Sequence, residues 1–154
     1  MSKPGEHPLG DKGQVVLFLL FMLIWVLDSF FVRFSVMLAC YVPLYVRLAW
    51  AATIAAAGLI LMNAGHKALE ETDVPHILTT GAFGRVRHPL YLGSMLLFTA
   101  VWSSTLSLAV LIVLAVIFVF YNHIAAYEEK KLEEKFGEAY IRYKKNVRRW
   151  IPKL

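Results

Sequence analysis

Charged residues are scarce in this chain: Asp, Glu, Lys and Arg make up 18% of its 154 residues. A soluble domain of this size carries about a quarter. Apolar side chains account for 58% of the sequence, and they gather in runs close to bilayer length that hold almost no charge. The composition therefore argues against a soluble globular domain and indicates a membrane protein.

Cysteine is nearly absent, since Cys40 is the only one. A lone cysteine excludes an intrachain disulfide and a cysteine-based metal cluster, and no metal site is predicted. Internal repeats and low-complexity linkers are absent as well. The chain is long enough for about one compact domain, so we predict a single domain over residues 1–154, divided into N-terminal spans (1–62) and a second region (63–154).

The apolar runs predict an all-α integral-membrane bundle of about four transmembrane helices. The first run is Gln14–Val32, whose only charge is Asp28, and the second is Leu48–Met62. The stretch Leu90–Tyr121 has no charged residue and, at ~1.5 Å per residue, is too long for one crossing. A break near 102–105 would turn it into a C-terminal helical hairpin.

The N-terminal half leaves three points open. Segment 33–47 is compatible with a loop, a helical extension or a re-entrant piece. Asp28 can pair with Arg33 or Arg47, or lie near the outer headgroups. The first run is expected to be a span rather than a cleaved signal, because it exceeds the length of a signal core and no small-residue cleavage site follows it.

Basic residues predict the orientation. Nine of the 16 Lys and Arg follow the last predicted span: Lys130, Lys131, Lys135, Arg142, Lys144, Lys145, Arg148, Arg149 and Lys153. The positive-inside tendency places this tail in the cytoplasm and, with four spans, the N-terminus too. The positive charge of the tail predicts contact with anionic lipid headgroups, and the interleaved glutamates argue against nucleic acid. The compact size favours a bacterial or archaeal plasma membrane over the endoplasmic reticulum.

A first polar segment, 79–93, precedes the predicted hairpin. Gly81 and Gly84 indicate turns, and Pro89 suits the first turn of a helix. Arg87 and His88 would then lie at the N-terminal end of a helix entering the membrane, where backbone N–H groups and the helix dipole favour an anion. The alternative is an interfacial girdle that anchors the helix end.

A second polar segment, 127–143, is predicted to be a cytoplasmic amphipathic helix. Its apolar residues recur every three or four positions, which is one face of a helix, with an interruption near Gly137. Glu128 lies on this inward stripe and calls for a partner. Its neighbours Glu129, Glu133 and Glu134 are expected in a solvated charge run, which is also the alternative reading of Glu128. The stripe comprises Leu132, Phe136, Tyr140, Tyr143 and Val147.

Together the two segments resemble the isoprenylcysteine carboxyl methyltransferase and phospholipid methyltransferase superfamily of integral-membrane methyltransferases. The matching elements are Gly81–Ala82–Phe83, the stretch Arg87 to Gly93 (RHPLYLG), and E-E-x-x-L-x-x-x-F-G-x-x-Y-x-x-Y from Glu128, closing with Ile151–Pro152. The resemblance covers about residues 60 to 152. It implies a pocket for S-adenosylmethionine at the cytoplasmic mouth of the bundle. By matching position, the implied cofactor-binding residues are Ile77, Leu78, Phe83, His88, Pro89, Leu90, Tyr91 and Glu128.

The resemblance also implies a lipophilic acceptor: an isoprenylcysteine-like carboxylate, a phospholipid amine or a thiol. Eukaryotic isoprenylcysteine enzymes place an Arg where this chain has Ile124, which argues against a carboxylate unless Arg85 or Arg87 substitutes. An amine or thiol needs a base, and His123 is the candidate, although it also suits an interfacial helix end. We therefore name His123 and Arg87 as candidate catalytic residues.

Two other functions stay open at this point. Sterol reductases are similar in their C-terminal cofactor-binding region, so an NADPH-dependent membrane reductase is one alternative. A non-catalytic membrane scaffold is the other. Binding of NADPH, or cofactor binding without turnover, would separate them from the methyltransferase.

Overall fold

The computed structural model describes residues 10–71 and 77–152, and within these ranges the protein is helical, with no strand. Helix α1 continues into a π-helical turn at Leu27–Val32, and a short 3-10 turn at Met37–Cys40 precedes α2. The helices are α1 (Gly10–Val26), α2 (Leu44–Glu70), α3 (Pro89–Thr105), α4 (Leu108–Phe136) and α5 (Glu138–Asn146). The predicted all-α bundle is confirmed.

Three helical stretches are long and apolar enough to cross a membrane: Lys12–Val32, Leu44–Glu70 and Leu108–Phe136. Helix α3 has 17 residues, which is at the short end of the range of roughly 17–25 residues for a spanning helix. The predicted count of four spans includes α3 and stays a prediction.

Two predicted boundaries were wrong. Helix α2 begins at Leu44, directly after Pro43, and runs to Glu70, well beyond the predicted Leu48–Met62. Helix α4 likewise continues past Tyr121 to Phe136, so the start of the predicted tail helix belongs to α4. Both extensions consist mainly of residues with high helix propensity, including Ala, Leu, Lys and Glu, and these carry a helix beyond its apolar part.

The connection before α2 is an irregular loop with one 3-10 turn, which is one of the three alternatives left open for this segment. Its first residue, Arg33, adopts a left-handed conformation (φ 54°) and ends the π-helical turn. Arg47 belongs to α2, and its guanidinium donates to the carbonyl oxygens of Ser104 (2.7 Å) and Val42 (3.1 Å).

The predicted hairpin between α3 and α4 is confirmed. Helix α3 ends at Thr105, Leu106 takes a left-handed conformation (φ 51°), and Ser107 caps α4 by accepting a hydrogen bond from the Val110 amide. A Ser at this N-cap position satisfies one of the first amides of a helix that would otherwise face an apolar environment.

Asp28 is bound by hydroxyl groups rather than by Arg33 or Arg47. The Ser107 hydroxyl donates to its carboxylate at 2.5 Å, the Ser35 hydroxyl at 2.6 Å and the Ser35 amide at 3.2 Å. Asp28 is buried, so these donors replace the water that a carboxylate otherwise needs. We call Asp28, Ser35 and Ser107 the serine knot; it ties the end of α1 to the start of α4.

Helices α2 and α3 pack closely through glycine. A β-carbon placed on Gly93 or on Gly58 would lie 2.9 Å from the other residue's carbonyl oxygen, so neither position admits a larger residue without separating the helices. Small residues at such a crossing allow the backbones to approach, as membrane helices often require. On the other side of α3, Phe21 of α1 and Phe98 of α3 form the core with Val110 and Ile117 of α4.

Candidate active site

The segment before α3 and the second half of α4 meet at one end of the bundle. Ala82 and Val86 are buried, and Gly81, predicted to lie in a turn, takes a positive φ of 60°. His88 is the N-cap residue of α3 and Pro89 the first helical residue. The local backbone therefore brings Arg87 and His88 to the N-terminus of α3, as predicted.

Glu129 is the centre of the charged cluster at this end. Its carboxylate accepts from Arg87 Nε (3.0 Å), from His88 Nε2 (3.2 Å), and from Arg149 through Nε and Nη2 (both 2.8 Å). Its exposed fraction is 1%. The prediction that Glu129 belongs to a solvated charge run was wrong, because two guanidinium groups and an imidazole compensate the cost of burying it.

Arg87 is committed to protein acceptors. Besides the bond to Glu129, its Nη1 donates to the carbonyl oxygens of Val147 (2.7 Å) and Lys144 (3.1 Å). Only 9% of its side chain is exposed. This predicted catalytic residue thus lies in the site with its guanidinium bound to other parts of the chain.

Glu128, His88 and Tyr91 form a second group on the neighbouring face of α4. The Tyr91 hydroxyl donates to Glu128 Oε1 at 2.5 Å, and His88 Nδ1 lies 3.7 Å from Glu128 Oε2. The His88 and Tyr91 rings stack with their planes 6° apart. The partner that Glu128 requires is therefore Tyr91, and the carboxylate retains a partly exposed edge, with 19% of the side chain accessible.

The chain after α5 returns across this site. Arg149 Nη1 and the Trp150 indole N–H both donate to Asn122 Oδ1, at 2.8 and 3.2 Å, and the Trp150 ring lies 5.8 Å from His88. The hydrogen-bonded Glu129 carboxylate raises the pKa of the Arg149 guanidinium. The Arg87 amide donates to the Arg148 carbonyl at 3.0 Å, next to a parallel bridge between Val86 and Arg148.

Sequence reasoning did not identify Asn122, Arg149 or Trp150 as site residues. Asn122 and Glu129 are seven positions apart, which is two helical turns on one face, and this spacing was an available signal. Nothing in the sequence distinguishes Arg149 from the other basic residues of the tail. Its role depends on the path of the chain after α5.

A cavity of about 210 Å³ lies beside the charged cluster. It contains Ile77, Leu78 and Phe83, three of the eight predicted cofactor residues. Burial raises the pKa of Tyr143 to about 12, so its hydroxyl stays protonated and donates to the Phe83 carbonyl at 2.6 Å. The remaining lining residues are Leu69, Arg87, Leu132, Phe136, Tyr140 and Tyr143, so the predicted apolar stripe forms one wall.

The other predicted residues divide between the charged end and the helix packing. His88, Tyr91 and Glu128 form the group described above. Pro89 is buried, and Leu90 faces Gly65 of α2. The structure therefore brings all eight residues to one end of the bundle, six of them in two groups of three. Arg87, which lines the cavity and binds Glu129, connects these two groups.

His123 lies apart from these groups. It is exposed on α4, whereas its neighbour Ile124 is buried. It is five positions before Glu128, and at 3.6 residues per turn this spacing puts the two side chains on different faces of the helix.

An apolar groove of about 320 Å³ runs between α1, α3 and α4. Its polar residues, Gln14, Ser94 and Tyr121, lie towards the charged end, and the Tyr121 ring is 5.2 Å from that of Tyr91. The groove thus extends from the apolar surface to the neighbourhood of Glu128. Its other lining residues are Val15, Phe18, Met22, Leu97, Phe98 and Val101.

Fold and site together define a helical membrane protein with an ionised, aromatic-lined site at one end of the bundle, a class to which membrane-embedded transferases of lipophilic substrates belong. The phospholipid methyltransferase family matches residues 37–139, more than half of the chain. The chain belongs to this family, whose members are integral-membrane methyltransferases. A protein of Haemophilus influenzae, described as uncharacterized, is 47% identical over 60 residues, which are 38% of this chain and 95% of the relative.

Proposed function

We propose that this protein transfers a methyl group from S-adenosylmethionine to a lipophilic acceptor within the bilayer. One observation carries the proposal: the group of His88, Tyr91 and Glu128 is connected to both spaces. Tyr91 lies beside Tyr121 of the groove, with ring centroids 5.2 Å apart, and His88 shares the Glu129 carboxylate with Arg87 of the aromatic-lined cavity. A water-soluble donor and a membrane-bound acceptor require such a meeting place. Most of the basic tail belongs to the same end of the bundle, so we propose that this end faces the cytoplasm.

The cavity side suits the cofactor. In this proposal Ile77, Leu78 and Phe83 contact the adenine and ribose, and Glu128 binds the ammonium or the ribose hydroxyls. The first turn of α3, with His88 to Tyr91, receives the carboxylate, because the His88 side chain makes no capping bond there and helix N-termini attract anions. Aromatic faces near the sulfonium favour its positive charge.

The groove side suits the acceptor. Its apolar walls would hold an acyl or isoprenyl chain, while Gln14, Ser94 and Tyr121 face the polar head of the substrate. The sulfonium is already an activated electrophile, so the protein mainly has to align the two reactants and exclude water. The acceptor atom is a phospholipid amine, a thiol or a carboxylate.

An amine or thiol acceptor must lose a proton. His123 is a proposed base by its chemistry, but His88 is the better placed imidazole because its Nδ1 faces Glu128. Arg87 has a positioning role in this proposal, since its guanidinium is bound to Glu129 and to two carbonyl groups.

Calorimetric titration of S-adenosylhomocysteine into the detergent-purified protein tests the proposal. The native protein should bind, and Glu128→Ala and His88→Ala should each bind at least about tenfold more weakly, which is ~1.4 kcal/mol. Glu134→Ala is the matched control, because Glu134 is an exposed carboxylate on the same helix.

NADPH is titrated in parallel. If the folded native protein does not bind S-adenosylhomocysteine, the proposal is contradicted. NADPH binding instead would favour the membrane reductase, and absence of both would favour the scaffold.

A further inference from the structure

The segment Val147–Trp150, which we call the C-terminal clasp, contacts two other parts of the chain, the segment before α3 and helix α4. Its backbone pairs with the segment before α3, where the Val147 and Arg148 carbonyls accept from Arg87. Its side chains reach α4 through Asn122 and Glu129. The clasp lies outside residues 37–139, so the family match assigns it no role.

Arg149 makes the most specific contacts of the clasp. Nε and Nη2 bind the two carboxylate oxygens of Glu129 as a planar fork, and Nη1 binds Asn122. A bidentate pair fixes the carboxylate in direction as well as in position, which a lysine cannot do. Arg87 contributes only one bond, to Glu129 Oε1, so Arg149 determines the plane of this carboxylate.

The fixed carboxylate in turn determines the state of His88. Glu129 is ionised between two guanidinium groups and can only accept, so His88 Nε2 must carry a hydrogen and donate to Oε1. The neutral imidazole is then the Nε2–H tautomer, and its unprotonated Nδ1 is the atom that faces Glu128. Trp150 and Tyr91 lie against the ring and restrict its rotation.

We propose that Arg149 is a positioning residue of the active site, acting through Glu129 to hold His88 as the Nε2–H tautomer with Nδ1 directed at Glu128. This inference rests on the proposed function for its catalytic meaning. The geometry of His88 can be tested without it.

The test is nitrogen NMR of the full-length protein labelled with ¹⁵N-histidine in detergent, with the His88 signals assigned from their loss in His88→Gln. The native protein should give one set of His88 signals, typical of the Nε2–H tautomer. Arg149→Ala should shift these signals towards a mixture of tautomers, and Arg149→Lys should restore them only in part. Arg148→Ala is the control, because the exposed Arg148 contributes only its backbone.

Unchanged His88 signals in a folded Arg149→Ala variant would overturn the proposal. If that variant does not fold, Arg149→Lys and Asn122→Ala test the proposal instead, since both keep a cation beside Glu129. Arg149→Lys removes the planar fork, and Asn122→Ala removes the acceptor of Arg149 Nη1. Native signals in both would then overturn it.

Binding of S-adenosylhomocysteine provides the functional arm. Arg149→Ala should weaken it by roughly tenfold, ~1.4 kcal/mol, and Arg148→Ala should not. Unchanged affinity, with altered His88 signals, would overturn the functional meaning of the clasp. If the native protein does not bind S-adenosylhomocysteine, the proposed function fails, while the NMR result still decides whether Arg149 positions His88.

Discussion

Two adjacent glutamates at the end of α4 have different environments. Glu129 is enclosed by Arg87, His88 and Arg149, whereas Glu128 keeps an exposed edge and binds Tyr91. The apolar stripe predicted that Glu128 faces inward with a partner, and this is confirmed. The burial of Glu129 could not be predicted, because it depends on Arg149, which is 20 positions later and reaches the site only through the turn after α5.

Replacement of Glu129 by Gln should strongly destabilise the protein. It leaves the guanidinium of Arg87, which is nearly buried, and that of the half-buried Arg149 without their counter-charge, and breaking a buried pair costs about 3–5 kcal/mol. Thermal or denaturant unfolding in detergent measures the loss, with Glu134→Gln as the control that should leave stability unchanged. Equal stability of the two variants would show that the buried carboxylate is dispensable for folding.

Replacement of Glu128 by Gln should change stability little and should weaken binding of S-adenosylhomocysteine. The amide can still accept from the Tyr91 hydroxyl, so stability should change by less than about 1 kcal/mol. Affinity for S-adenosylhomocysteine should fall, because the negative charge proposed for the ammonium or ribose is lost. Calorimetry and unfolding of the same preparation separate the two effects. A marked loss of stability with full affinity would contradict the assignment of Glu128 to the cofactor.

At the level of helices, the turn and helix-breaking residues predicted the helix ends better than the lengths of the apolar runs did. Pro89 at the start of α3 and the interruption at Gly137 were confirmed, because each depends on local backbone preferences. The break predicted near 102–105 was confirmed as a break, but it lies at Leu106 and Ser107. The ends of α2 and α4 were wrong. The apolar run measures the part of a helix that suits lipid, whereas the helix itself continues through polar residues of high helix propensity.

The crossing of α2 and α3 should be sensitive to side-chain size. Gly58→Leu inserts a side chain where even a β-carbon lies 2.9 Å from the Gly93 carbonyl oxygen, so it should cost at least the ~1–3 kcal/mol typical of overpacking. Ala57→Leu, on the exposed face of the same helix, is the matched control. Comparable melting temperatures for both variants would contradict the close packing.

The serine knot should contribute to stability without affecting the site. Asp28→Ala removes the shared acceptor of the Ser35 and Ser107 hydroxyls. Because these hydroxyls lie 3.1 Å apart and can bond to each other, we expect a total loss of about 1–3 kcal/mol, the cost of one buried polar group without its partner. The knot lies at the far end of α4 from Glu129, so the folded variant should bind S-adenosylhomocysteine with native affinity. Weakened binding in that folded variant would show that the knot and the site are coupled.

For the whole molecule, the distribution of polar groups implies a direction across the membrane. Cys40 is exposed in the connection between α1 and α2, at the end of the bundle where α4 begins. Helix α5 follows the C-terminal end of α4, at the other end of the bundle. With the proposed cytoplasmic tail, Cys40 lies outside the cell and α5 inside. The sequence predicted this orientation from its basic residues alone, and it remains a prediction.

Thiol labelling of intact bacterial cells tests the orientation. A membrane-impermeant maleimide should modify Cys40 in the native protein but should not modify Lys145→Cys in a Cys40→Ser background until the cells are lysed. Lys145 is exposed at the end of α5. The reverse pattern would invert the proposed topology, and labelling of both sites in intact cells would contradict any fixed four-span arrangement.

The serine knot also bears on how a bulky substrate can enter. Helix α1 is fastened to α4 by Asp28 and Ser107 at one end, while its other end borders the groove with Gln14 and Val15. At that end Gly13 packs directly against the Phe120 ring of α4, so α1 contacts α4 at both ends. We infer that a bulky substrate enters the groove without separating these two helices.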